Sequence, residues 1–166
     1  MDPACPHLSP EVIRHTVKMA IAEHGWLTTA VRGDHLHPAA TFAYTTGLRT
    51  SRHHPELVVA GLPGPTAHEL ITAAVRLIDS GTRLEDSRQY GGIIQDFPVL
   101  ARAVTPQSCV VQFGATRLWY GGDVPRLQLV WPDRQGRFPG DPENQAHQWQ
   151  NLAGPMWHIH AGPGTT

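Results

Sequence analysis

Thr41-Phe42-Ala43-Tyr44-Thr45-Thr46-Gly47, followed after a polar stretch by Leu57-Val58-Val59-Ala60-Gly61, decides the fold class of this chain. Side chains alternate along an extended backbone. Phe42, Tyr44 and Thr46 therefore share one face of a strand over 41–46, Ala43 and Thr45 share the other, and Gly47 closes it. The run 57–60 is short, continuous and apolar, which predicts a strand covered on both faces. Residues 49–56 between them are polar and read as a loop.

Helical patterns flank this pair. Ser9-Pro10-Glu11 supplies a hydroxyl cap, a proline for the first turn and an acid beside it. Ile13, Val17, Ala20 and Ile21 recur at helical spacing and Gly25 follows, predicting a helix over 10–24. Residues 26–31 read as a strand and 35–38 as a loop. After the turn Gly61-Leu62-Pro63-Gly64-Pro65, Thr66 and Glu69 have the spacing of a capping box. The stripe Leu70, Ile71, Ala74, Val75, Ile78 then predicts a second helix, ended by Gly81. Ile93-Ile94 and 99–104 read as extended. Thr105-Pro106 is read as the start of a third helix reaching Tyr120 before Gly121-Gly122, although 109–113 is also strand-like. Residues 127–131 read as a buried strand, 132–136 as a turn and 142–151 as a short helix. The expected architecture is α+β: a mainly antiparallel sheet with two or three packed helices in a single domain. The expected boundaries are a flexible lead over 1–8, a globular domain over 9–140 and a Pro/Gly-rich C-terminal extension over 141–166.

Composition narrows the function classes. The 166 residues include eleven histidines, one lysine beside twelve arginines, sixteen glycines and fifteen prolines, at a formal net charge of −1. Imidazole titrates near neutrality and is the commonest metal ligand, so acid/base or metal chemistry is indicated. The charge balance and scattered arginines give no bulk attraction to nucleic acid or to an anionic membrane. No stretch reaches the roughly 20 apolar residues of a membrane span. The N-terminus shows no apolar signal core, so a cytoplasmic location is expected. The Lys-poor, Arg-, Ala- and Pro-rich composition suggests a GC-rich bacterial source. Cys5 and Cys109 are read as reduced thiols, with Cys109 buried and inert.

Six pieces in order form a set: His24-Gly25-Trp26, Phe42-Ala43-Tyr44-Thr45-Thr46-Gly47-Leu48, His54-Pro55-Glu56-Leu57, Gly61-Leu62-Pro63, Leu127-Gln128-Leu129-Val130-Trp131-Pro132-Asp133 and Gly136-Arg137-Phe138-Pro139. Over residues 5–140 this set resembles a bacterial family catalogued as a domain of unknown function, DUF4262. The resemblance implies a fold and a region for the site, and no reaction. Members of the family often carry several cysteines before the first helix; here Cys5-Pro6-His7 stands in that place.

Three constellations are candidates for chemistry. The first joins Tyr44 and Thr46 to His54 and Glu56, which lie two apart at a strand entry. A carboxylate beside an imidazole orients it as a general base, and a tyrosine hydroxyl supplies a proton or an oxyanion donor. The competing structural reading makes Glu56 an acceptor for loop amides and Tyr44 a core residue with one hydrogen bond. The second candidate is Trp131 with Asp133 at the end of a strand, either a pocket wall and carboxylate or a core plug and turn initiator. In the third, His35 with His37 and His158 with His160 each offer two imidazoles to one ion; Asp34 is an alternative ligand. The sequence thus suggests a small enzyme acting on a small molecule or peptide by general acid/base chemistry, with no organic cofactor. His54 would be its base, Glu56 the orienting carboxylate, Tyr44 the acid, and Thr46, Trp131 and Asp133 the substrate contacts. Hydrolysis, dehydration, isomerisation and cyclisation all fit. The alternatives are an enzyme dependent on zinc or another divalent metal held by the four histidines, and a non-catalytic module binding a partner protein.

Overall fold

A computed structural model describes residues 8–33, 41–105, 113–144 and 150. The first helix, α1 (Pro10–His24), has the expected limits. The Ser9 hydroxyl accepts from the Val12 amide at 3.3 Å, and Gly25 stops the helix at φ 85° with its N–H returned to the Ile21 carbonyl. β1 (Leu27–Val31), β2 (Phe42–Thr46) and β3 (Glu56–Ala60) follow as antiparallel neighbours. β2 and β3 are buried along their whole lengths.

The segment between β2 and β3, expected as loop, holds a short helix, α2 (Leu48–Arg52). Gly47 makes this turn possible. It sits at φ 119°, where a Cβ would lie 2.8 Å from both the Gly25 carbonyl oxygen and Ile21 Cγ1. Its carbonyl accepts from the Ser51 amide and hydroxyl. The close approach ties the end of α1 to the end of β2. Gly47→Ala is expected to cost about 3 kcal/mol through left-handed strain and overpacking. Urea unfolding checks this, and a loss under about 1 kcal/mol would contradict it.

α3 (Gly64–Asp79) buries Ala67, Leu70, Ile71, Ala74 and Val75 as its stripe requires. It starts ahead of the expected capping box. Pro63 is the N-cap residue, its carbonyl accepts from Ala67 at 2.9 Å, and Pro65 presets the first turn, so Thr66 already lies inside the helix and caps nothing. Gly91-Gly92 breaks the expected extended run, and Ile93-Ile94 lies in a series of bends. The added strand is β4 (Arg88–Tyr90), antiparallel to β5 (Val99–Val104). The described part of the third expected helix is α4 (Gly114–Tyr120), its first described turn closed by Arg117 N–H to the Phe113 carbonyl; residues 106–112 lie outside the described set. β6 (Arg126–Val130) pairs antiparallel with β5 and parallel with β3.

The result is one six-stranded, mostly antiparallel sheet in the order β1-β2-β3-β6-β5-β4, an α+β fold. α3 covers one face, over Ala43, Leu57, Val59, Ala101, Leu127 and Leu129. α1 and α4 flank the other, where Val17 and Ala115 join Phe42, Tyr44, Val58, Ala60 and Phe113. Asn144 and Gln150, beyond the expected domain boundary, are buried: the Gln150 carbonyl accepts from the Gln128 side-chain amide, and the Gln150 side chain exchanges hydrogen bonds with the Trp131 backbone. Among the described residues no helix is long and apolar enough to cross a membrane.

Candidate functional site

The strands β2 and β3 part at one end, and what holds them there is polar. Phe42, Ala43 and Tyr44 pair with β3, but the next amide, Leu57 N–H, goes to the Thr45 hydroxyl at 2.8 Å instead of to a strand carbonyl. The opening is filled by two buried ionisable side chains. Glu56 is fully buried and accepts four hydrogen bonds: the Thr45 hydroxyl on Oε2 at 2.6 Å, and on Oε1 the amides of Gly47 and Arg49 and the Tyr120 hydroxyl at 2.9, 3.2 and 2.8 Å. Arg126 donates to the carbonyls of Thr45 and Leu57 and to the Thr116 hydroxyl. Its guanidinium lies 3.9 Å from the centroid of the Phe113 ring and 5.3 Å from that of Tyr44, a buried cation–π stack. Thr116 passes its own proton to the Thr45 carbonyl, which leaves Thr46 as donor in the 2.9 Å bond between the two hydroxyls.

This network accounts for most of the expected catalytic set. Tyr44 is buried against Phe42 and Phe113, and its hydroxyl accepts from the Ala115 amide at 3.0 Å. Glu56 braces the turn into α2 and makes no hydrogen bond to His54. The proposed orientation of His54 by Glu56 therefore gives way to a different one: Nδ1–H donates to the Pro55 carbonyl at 2.8 Å, and Nε2 accepts from the Leu84 amide at 3.1 Å. Burial holds the His54 imidazole below its usual range, and the Arg83 charge adds to that. Burial also pushes the Tyr120 phenol up, with Glu56 contributing.

The expected substrate contacts sit elsewhere. Trp131 packs against the α3-side core and donates from Nε1 to the Ala60 carbonyl at 2.8 Å. Asp133 Oδ1 accepts from the Gln135 and Arg137 amides, both at 2.9 Å, and so builds the expected turn. Thr46 is consumed by Thr116. His35, His37, His158 and His160, and Asp34 with them, lie outside the described residues. Among the described residues no three His, Cys, Asp or Glu side chains gather in a group that suits a metal ion.

One member of the set does reach a cleft. His54 forms part of a hollow of about 350 Å³ together with Arg49, His53, Pro55, Arg83 and Pro125. Arg49, His53 and Arg83 are exposed on its walls, and His54 is buried at its floor. Arg83 is anchored by a 3.0 Å bond from its guanidinium to the His53 carbonyl. No carboxylate lines the cleft. Acids on the neighbouring segments are engaged: Asp79 with Arg52, Glu85 with Arg88, Asp123 with Arg117. Sequence reasoning singled out His54 within the 44–56 segment but not Arg49, His53 or Arg83, the last of which only the tertiary fold brings to it. It also passed over Arg126, although the alternation Arg126, Gln128, Val130 against Leu127, Leu129 places an arginine on an interior face.

No curated protein and no solved structure matches this chain. A family model does: the domain of unknown function DUF4262 matches residues 20–145, a range that holds both the buried Glu56–Arg126 network and the arginine–histidine cleft, and the chain belongs to that family.

Proposed function

We propose that this domain binds an anionic group, the carboxylate or phosphate-like end of a small molecule or peptide, in the cleft between α2, the entry of β3 and the turn after α3. One observation supports this above the others: two guanidinium and two imidazole side chains line a single cleft that no carboxylate lines. Guanidinium is the cation best matched to planar or tetrahedral oxyanions. The cleft volume of about 350 Å³ lies in the range of small-ligand sites. Among the described residues no side-chain hydrogen bond engages the His53 ring, so its nitrogens are available to a bound anion. We place the proton transfer anticipated from the sequence at His53, since the polar groups of Tyr44, His54 and Glu56 are taken up within the fold.

Calorimetric titration with sulfate and with acetate, at pH 8 and constant ionic strength set by chloride, tests the proposal. Saturable binding is expected for at least one of them. Arg49→Ala and Arg83→Ala are each expected to weaken it about tenfold, equivalent to about 1.4 kcal/mol. Binding that is absent, or unchanged in the Arg49→Ala, Arg83→Ala double variant, would overturn it.

A further inference from the structure

The two ring nitrogens of His54 are both committed to backbone groups, and they tie together the two walls of the cleft. Nδ1–H holds the Pro55 carbonyl at the entry of β3. Nε2 receives the amide of Leu84, a residue 1% exposed, whose neighbour Arg83 forms the opposite wall. The neutral imidazole has one donor and one acceptor, and both are used. A second proton has one place to go, Nε2, where it would face the Leu84 N–H head on. The imidazolium can form only by releasing that amide.

We propose that protonation of His54 opens the cleft, so that acid expels the anion; this rests on the anion-binding reading above and adds its regulation. The charged groups around the ring favour this direction. From the turn after α3, Arg83 opposes a second positive charge. Arg49, from α2, lines the same hollow and adds to it, and His53 at the end of α2 stands exposed beside it. Glu56, from β3, attracts the imidazolium, but its oxygens are held by Thr45, Gly47, Arg49 and Tyr120. Farther along, Arg52 of α2 grips Asp79 at the end of α3 at 2.6 Å, so the turn stays fixed at its start and swings from there. Release of Leu84 leaves the turn to the Tyr90 hydroxyl, which bonds the Glu85 amide and the Arg83 carbonyl, and leaves the bond from Arg83 to the His53 carbonyl as the tie across the cleft, which opens as that bond yields. A cleft whose imidazoles were simply free would bind anions more tightly in acid, so the two behaviours differ in sign.

Sulfate stays a dianion throughout the relevant range and serves as the probe. His53→Gln removes the exposed imidazole and leaves His54 as the one histidine lining the cleft among the described residues. In that variant, sulfate affinity is expected to fall at least tenfold as pH drops from 8 to 5. In the double variant His53→Gln, His54→Gln it is expected to stay flat. Affinity that is constant or rises with acid in His53→Gln overturns the gate. Nitrogen NMR of the unliganded wild-type chain gives an independent reading. Proton uptake by the His54 ring should coincide with loss of hydrogen-exchange protection at the Leu84 amide, and a Leu84 amide still protected after the ring is charged overturns the gate whether or not sulfate binds. Failure of sulfate and of acetate alike to bind at pH 8 overturns the anion-binding reading instead, and with it the gate's role in binding.

Discussion

Glu56→Ala is expected to destabilise the fold by about 3–5 kcal/mol, read from urea unfolding monitored by tryptophan fluorescence. The carboxylate is the common acceptor for two amides and two hydroxyls in a fully buried position. The hydroxyls of Thr45 and Tyr120 can turn elsewhere, but the amides of Gly47 and Arg49 are fixed by the left-handed turn into α2 and would be left without a partner. Each buried, unsatisfied amide costs about 1–3 kcal/mol, and the vacated volume adds to this. Total stabilities of single domains are about 5–15 kcal/mol, so the variant should be only marginally folded at room temperature. Glu56→Gln keeps one oxygen for the amides and should cost less, about 1–2 kcal/mol. The opposite pattern, stability within about 0.5 kcal/mol of wild type for both variants, would contradict the bracing role and return Glu56 to the list of groups free to act in chemistry.

Arg126 is expected to tolerate replacement almost as badly. Its guanidinium donates to three acceptors while its central carbon lies over the Phe113 ring, 3.9 Å from the centroid. An ammonium cannot reproduce a planar fork or the stacking, so Arg126→Lys should cost about 2–3 kcal/mol despite the retained charge. Arg126→Ala takes the guanidinium donors from the carbonyls of Thr45 and Leu57 where β2 and β3 part, with the 3.3 Å bond from the Thr116 hydroxyl still on Thr45, and should cost about 3–5 kcal/mol, a fall in Tm of about 10 °C. Calorimetric melting distinguishes these figures from the small effect expected of a surface arginine. If Arg126→Lys melted with wild type, the guanidinium would be filling space and the network would be weaker than its geometry implies.

Local chemistry was legible in the sequence and long-range pairing was not. Ser9, Pro10 and Gly25 bound α1 because capping depends on neighbours three or four residues away. The alternation in 41–46 and the apolar run 57–60 gave β2 and β3 because side-chain period is a local property. The capping box at Thr66 was misleading, since two prolines start α3 earlier by a different local rule. The parallel pairing of β3 with β6 joins residues far apart in the chain, and nothing in either strand's own pattern specifies its partner.

The site followed the same division. The segment 44–56 stood out for its tyrosine, histidine and glutamate, yet the role of each was set by groups from elsewhere. Tyr120 claims Glu56, Leu84 claims His54, and Arg83 completes the cleft. The assignment of Glu56 as partner of His54 rested on two residues sharing a face of one strand. Four donors from four other residues outweighed that proximity.

The central expectation is an oxyanion held in the arginine–histidine cleft. A crystal of the chain grown in selenate and measured at the selenium edge would locate it directly. The expected result is an anomalous peak within hydrogen-bond reach of the Arg49 and Arg83 guanidinium groups, above the His54 ring, with Glu56 still bound to the Gly47 and Arg49 amides. A peak at other arginines with this cleft empty, or selenate bound where Arg83 has left the cleft, would contradict it.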